Sequence, residues 1–125
     1  MKTVLIVDDE LDIVEAVKAI LEEERYKVVT CGNGREALKC LEDSKPDLAI
    51  VDIMMPVMNG YETIKAIRQR TEFAELPILI MSAITPAVKG KEYSWAAYLK
   101  KPFSLSELLK QVHALAPQDR DPEQE

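Results

Sequence analysis

Asp47 to Gly60 reads DLAIVDIMMPVMNG, and the interpretation of this stretch decides the fold. Leu48, Ala49, Ile50 and Val51 form an apolar run bounded by turn signals, which suits a strand covered on both faces, as parallel strands in α/β domains are. The run delivers one carboxylate, Asp52, into a Met/Pro loop closed by Asn59-Gly60. A buried ionised carboxylate is costly, so Asp52 is expected where the strand gives way to solvent or to a cation. Pro56 disfavours helix at Met55 and fixes its own φ, while Gly60 tolerates backbone angles that other residues resist, so the loop is shaped. In open α/β sheets ligands bind at this edge, outside the carboxyl ends of the strands.

The same unit recurs on either side. Val4 to Val7 is a short strand ending in Asp8-Asp9-Glu10, after which Ile13, Val14, Val17, Ile20 and Leu21 recur at helical spacing. Val28 and Val29 begin a second strand, and Asn33 with Glu36 three positions on is a capping signal for a helix through Ala37, Leu38 and Leu41. Asn59 and Glu62 repeat that signal ahead of Ile64, Ala66 and Ile67. Pro77 starts a fourth strand, Ile78 to Met81, which brings Ser82 to its end. Ala83 to Ser94 holds Pro86 and Gly90 and no sustained period, so it is read as a loop with at most a short helix. Ala96 to Leu99 is a fifth strand, and Lys100-Lys101-Pro102-Phe103 leads into a Ser104/Glu107 capping pair and a last amphipathic helix through Leu115. Residues 1–116 make one domain, and the acidic tail from Pro117, PQDRDPEQE, is expected to be disordered.

Five alternations of strand and helix make an α/β, doubly wound, five-stranded parallel sheet with helices on both faces. At 125 residues the chain can bury roughly two-thirds of its unfolded surface without staples. A net charge of -6 argues against direct binding to nucleic acid or to an anionic membrane. No apolar stretch is long enough to span a bilayer, and the N-terminus has no signal-peptide pattern. Cys31 and Cys40 match no zinc or redox spacing and are read as reduced thiols of a cytoplasmic protein.

Strand ends in such a sheet lie about 4.8 Å apart, so Asp8/Asp9 and Asp52 can converge if their strands are neighbours. Like charges that close need a proton or a cation between them. A hard cation with oxygen ligands, Mg²⁺ first among them and Mn²⁺ as a substitute, fits this set, and the absence of nearby His or Cys argues against zinc. Ser82 and Lys101 bring a hydroxyl and an ammonium to the same edge. A nucleophilic carboxylate with donors for phosphoryl oxygens is what phosphoryl transfer needs.

In combination, VDDE, VDIMMPVMNG, PILIMSA and YLKKPF resemble the response-regulator receiver domains of two-component signalling, from Lys2 to about Leu115. The resemblance implies a flavodoxin-like sheet of order 2-1-3-4-5, the order known for the family's chemotaxis members. It implies that Asp52 accepts a phosphoryl group from a histidine kinase or phosphotransfer protein. It further implies Mg²⁺ bound by Asp9 directly, by Asp8 directly or through water, by Asp52, and by the Met54 carbonyl. Ser82 and the Ala83 backbone N–H would hold phosphate oxygens, and Lys101, the lysine directly before the proline, would pair with another. Tyr98 would follow the Ser82 hydroxyl inward as a switch and change the face offered to a downstream protein. Such a domain assists its own phosphorylation and is not a turnover enzyme.

The chain departs from the family in one place. Sixteen positions separate Ser82 from Tyr98, fewer than is usual, and Ser94-Trp95-Ala96-Ala97 replaces the common Gly-Ala-Asp, so the family's fourth helix is expected to be short or remodelled. Two other functions compete. An unphosphorylated pseudo-receiver would suit the remodelled segment but not the retained acids, Ser82 and Lys101. An aspartate-nucleophile phosphatase would carry D-x-D after its first strand, which VDDE does not match. The sequence leaves open a homodimer and the identity of the kinase and target.

Overall fold

A computed structural model describes residues 1–55, 58–86 and 94–118. Five parallel strands, β1 (Thr3–Val7), β2 (Lys27–Cys31), β3 (Leu48–Asp52), β4 (Ile78–Ser82) and β5 (Ala97–Lys100), lie in the order β2-β1-β3-β4-β5. The order reverses direction at β1, so β1 and β3 are neighbours, with Val7 paired to Val51. Asp52 in turn pairs with Met81, and Ser82 with Lys100, so all the carboxyl ends share one edge.

Alternation along the strands sorts the core into two layers. Leu5, Val7, Ala49, Val51, Ile78 and Ile80 face α2 (Gly34–Ser44) and α3 (Gly60–Arg68), where they meet Ala37, Leu41, Ile64 and Ile67. Val4, Ile6, Leu48, Ile50, Leu79 and Met81 face α1 (Leu11–Glu23) and α4 (Leu105–Leu115), where they meet Val14, Val17, Leu21, Leu108 and Val112. Every residue of β3 is buried, as its unbroken apolar run requires.

Helix starts follow the side-chain chemistry. Asn33 accepts the Glu36 N–H at 3.0 Å, Ser104 accepts the Glu107 N–H at 3.1 Å, and Asn59 and Glu62 close a full reciprocal box on α3. Strand bounds differ slightly from the sequence reading: β4 runs on through Ser82, and β5 covers Ala97–Lys100 instead of Ala96–Leu99. A short 3₁₀ turn, Thr71–Phe73, closes the link into β4 and buries Phe73. The expectation of a shortened helix between β4 and β5 falls largely on residues 87–93, outside the described residues. At that segment's far end Ser94 is tied down by Arg68, whose Nε donates to Ser94 Oγ at 2.8 Å. Trp95 is half-buried against the α2/α3 layer, as is Tyr98.

The rim away from the acids is closed by hydrogen bonds. The buried Tyr26 hydroxyl donates to the Ala116 carbonyl at 2.8 Å and lies 3.1 Å from His113 Nδ1. Gln118 accepts the Lys2 N–H at 2.7 Å and donates to the Glu24 carbonyl at 3.0 Å. The rest of the acidic tail, 119–125, lies outside the described residues.

Candidate functional site

The site is built on two matched turns. Asp8 follows β1, and its Oδ1 accepts the Glu10 N–H at 2.9 Å; Asp52 ends β3, and its Oδ1 accepts the Met54 N–H at 3.1 Å. In both, an aspartate turns its own chain two residues on. Each keeps Oδ2 for the same partner. Lys101 Nζ lies 3.2 Å from Asp8 Oδ2 and 3.3 Å from Asp52 Oδ2.

Lys101 reaches that position because its N–H donates to the Ser82 carbonyl at 2.8 Å, extending the β4–β5 ladder past Lys100. Its peptide bond to Pro102 is cis. Lys100 is exposed, and it is Lys101, directly before the proline, whose ammonium lies against the acids. Beside Lys101 an apolar groove of about 510 Å³ runs past Ile13, Val17, Pro102, Phe103 and Leu105.

Gly60 sets the floor of the loop. A Cβ there would lie 2.5 Å from both the Asp52 carbonyl oxygen and Ile53 Cα, so only glycine lets α3 start against the backbone of Asp52.

Electrostatics follow from burial. Asp8 and Asp52 are almost wholly buried, and burial, with the neighbouring Asp8 charge, pushes the Asp52 carboxyl up to about 6 despite Lys101 and the Met54 N–H. Burial alone would lower the Lys101 ammonium, but Glu10, Asp8 and Asp52 outweigh it and raise it. The lysine therefore stays charged among three acids.

Among the described residues one group of three acids converges, with oxygens of Asp8, Glu10 and Asp52 all within 4.8 Å of one another. The expected set holds Asp9 where this group holds Glu10. Asp9 is exposed and outside the converging group, because the Asp8 turn carries Asp9 over the top and brings Glu10 back toward Lys101. Glu10 was missed: read in sequence it is one more acid at a helix start, and only the turn at Asp8 aims it inward. The donors are hard oxygens with no nitrogen or sulfur among them, which fits a divalent cation such as Mg²⁺.

The remaining site residues lie along the same edge. Ser82 is fully buried, and its Oγ accepts the Ile84 N–H at 3.3 Å. Ala83 beside it is exposed. The Tyr98 hydroxyl donates to the Ser82 carbonyl at 3.5 Å, a long contact that puts its ring next to the strand end. Met55 is buried, whereas Met54, two residues past Asp52, is 59% exposed.

This sheet order with this edge defines the class of protein. Residues 4–113 match the family model for the response regulator receiver domain, and the chain belongs to that family. It is 39% identical over 117 residues to the alkaline phosphatase synthesis transcriptional regulatory protein PhoP of Bacillus subtilis, covering 91% of this chain and 48% of that one. The chain thus spans about half the length of the curated relatives it matches. Among solved structures it is similar to the chemotaxis protein CheY4 of Vibrio cholerae, at 36% identity and a TM-score of 0.85 over 92% of this chain and 98% of that one. It is also similar to the response regulator TrrA of Thermotoga maritima, solved in complex with Mg²⁺-BeF, at 35% identity and a TM-score of 0.82 over 92% of this chain and 99% of that one. These relatives are signalling receivers and regulators, not turnover enzymes. No helix among the described residues is long and apolar enough to cross a membrane.

Proposed function

We propose that the chain is a phosphoryl-accepting switch with Asp52 as its acceptor. The observation that carries this is Lys101, whose single ammonium bridges the buried Asp8 and Asp52 carboxylates at the end of β1 and β3. A carboxylate oxygen of Asp52 forms the new O–P bond as the N–P bond of a donor phosphohistidine breaks. The electron pair stays on the imidazole nitrogen, which takes up a proton. Lys101, the Ser82 hydroxyl and the Ala83 N–H then serve the phosphoryl oxygens.

Asp8, Asp9, Asp52 and the Met54 carbonyl would hold Mg²⁺ or, in its place, Mn²⁺. A divalent ion bound there offsets the negative charge that gathers around the transferring group. The chain assists its own phosphorylation and has no external substrate to turn over. Its donor is a histidine kinase or phosphotransfer protein. Drawing the Ser82 hydroxyl toward the phosphoryl group frees space beside the strand end for Tyr98, and the population shifts toward a second packing that a downstream protein reads. The acidic surface disfavours direct contact with nucleic acid. Residues 1–116 form the receiver unit, the residues beyond act as tail or linker, and the setting is cytoplasmic.

Incubation with Mg²⁺ and acetyl phosphate, followed by intact mass spectrometry, tests the reading. The wild type is expected to gain one phosphoryl group, labile in base, and Asp52→Asn none. A wild type that stays unmodified overturns it and favours a pure interaction module; an adduct that survives in Asp52→Asn overturns it by showing a different acceptor.

A further inference from the structure

Glu10 makes the shortest contact in the acid cluster: its Oε1 lies 2.7 Å from Lys101 Nζ, against 3.2 Å and 3.3 Å for the two aspartates. An ammonium has three N–H donors and no acceptor. Asp8, Glu10 and Asp52 use all three. A phosphoryl oxygen arriving on Asp52 must therefore take a donor that is already committed.

Burial decides which partner yields most easily. The Asp8 side chain is fully buried and also turns its own loop, so moving it breaks a second hydrogen bond. The Glu10 side chain is 54% exposed and can return to water at small cost. Glu10 is also the cap residue of α1, and its carbonyl accepts the Val14 N–H at 3.0 Å, so the backbone beneath the carboxylate is fixed while the side chain is free to swing.

We propose that Glu10 is a positioning residue that parks the Lys101 ammonium over the acid pair and competes with the incoming phosphoryl oxygen for it, slowing phosphoryl uptake. The inference rests on Asp52 being the acceptor. It assigns to Glu10 the contact with Lys101, as distinct from a general negative field at the mouth of the site.

Two variants separate contact from field. Glu10→Gln keeps the length of the side chain and removes the charge; Glu10→Asp keeps the charge and is one methylene too short for the 2.7 Å contact. With acetyl phosphate at saturating Mg²⁺, both variants are expected to phosphorylate about two- to fivefold faster than wild type, the range of an exposed ion pair. A second readout is independent of phosphorylation. The Lys101 side-chain ammonium, followed by ¹⁵N NMR in the absence of donor, should exchange with solvent faster in both variants. Equal or slower phosphorylation in both overturns the proposal, as does a faster Glu10→Gln beside an unchanged Glu10→Asp. If wild type takes up no phosphoryl group, the acceptor reading falls and this one with it; if all three take it up at one rate, this one falls alone.

Discussion

The buried charge on Asp52 has a thermodynamic signature. An acid whose pKa is higher in the folded than in the unfolded chain favours the fold while protonated and disfavours it once ionised, so stability falls as pH rises through the window up to about 6. In chelator, Asp52→Asn should therefore be more stable than wild type at neutral pH, by on the order of 1–3 kcal/mol. The advantage should vanish below the ordinary carboxylate pKa. Urea melts at two pH values check this, and a variant less stable than wild type at neutral pH refutes it. Met54 offers a kinetic counterpart. Its exposed, apolar side chain lies two residues past Asp52, whose Oδ1 accepts the Met54 N–H, and would hinder an attacking water. Met54→Asn should shorten the phosphoryl lifetime by about two- to tenfold, less than a fully placed base achieves. Decay of the phosphorylated species followed by mass spectrometry decides it, and an unchanged rate removes the steric argument.

At the scale of elements, the carboxyl end of β3 and the start of α3 act as one unit. The Gly60 N–H donates to the Ile53 carbonyl at 2.8 Å, and the missing side chain lets the helix abut the Asp52 backbone. Gly60→Ala is expected to cost about 1–3 kcal/mol in a denaturant melt, because backbone has to give way. Asp52 should move with it, so phosphorylation should slow even where the variant is folded. Much at this scale was legible beforehand. The capping pairs at Asn33, Asn59 and Ser104 are local hydrogen-bond chemistry, and the apolar runs of β1, β3 and β4 leave little choice of element. Asp8, Asp52, Ser82 and Lys101 could be placed on one edge because each ends a recognisable strand. Glu10 could not, since its inward aim depends on an Asp8 side chain turning the backbone, which a one-dimensional pattern does not carry. The exclusion of Asp9 from the converging acids has the same cause.

The whole molecule is a two-layered support for a single crowded edge, and any cation bound there should report itself in global stability. Titrating Mg²⁺ into wild type is expected to raise Tm, by about 2.7 kcal/mol of stabilisation at a hundredfold excess over Kd. Asp8→Asn should blunt the response, since it removes one of the two buried carboxylates. A flat Tm across the titration would argue against a divalent site. Long-range order was less legible than the elements. The strand order follows from the family resemblance, and no local pattern foretold that Tyr26, in the link between α1 and β2, would fasten the far end of α4.

Gln118 bonds to both Lys2 and Glu24, which brings the first and last described stretches of the chain together beneath the amino ends of the strands. A fluorescent protein or affinity handle attached near either stretch would hang below the sheet, leaving the acidic mouth open to a bulky donor. Paired reporters placed at the two stretches would sit so close that their energy transfer is near its ceiling, and loss of that signal would mark fraying of this seam before the rest of the domain melts.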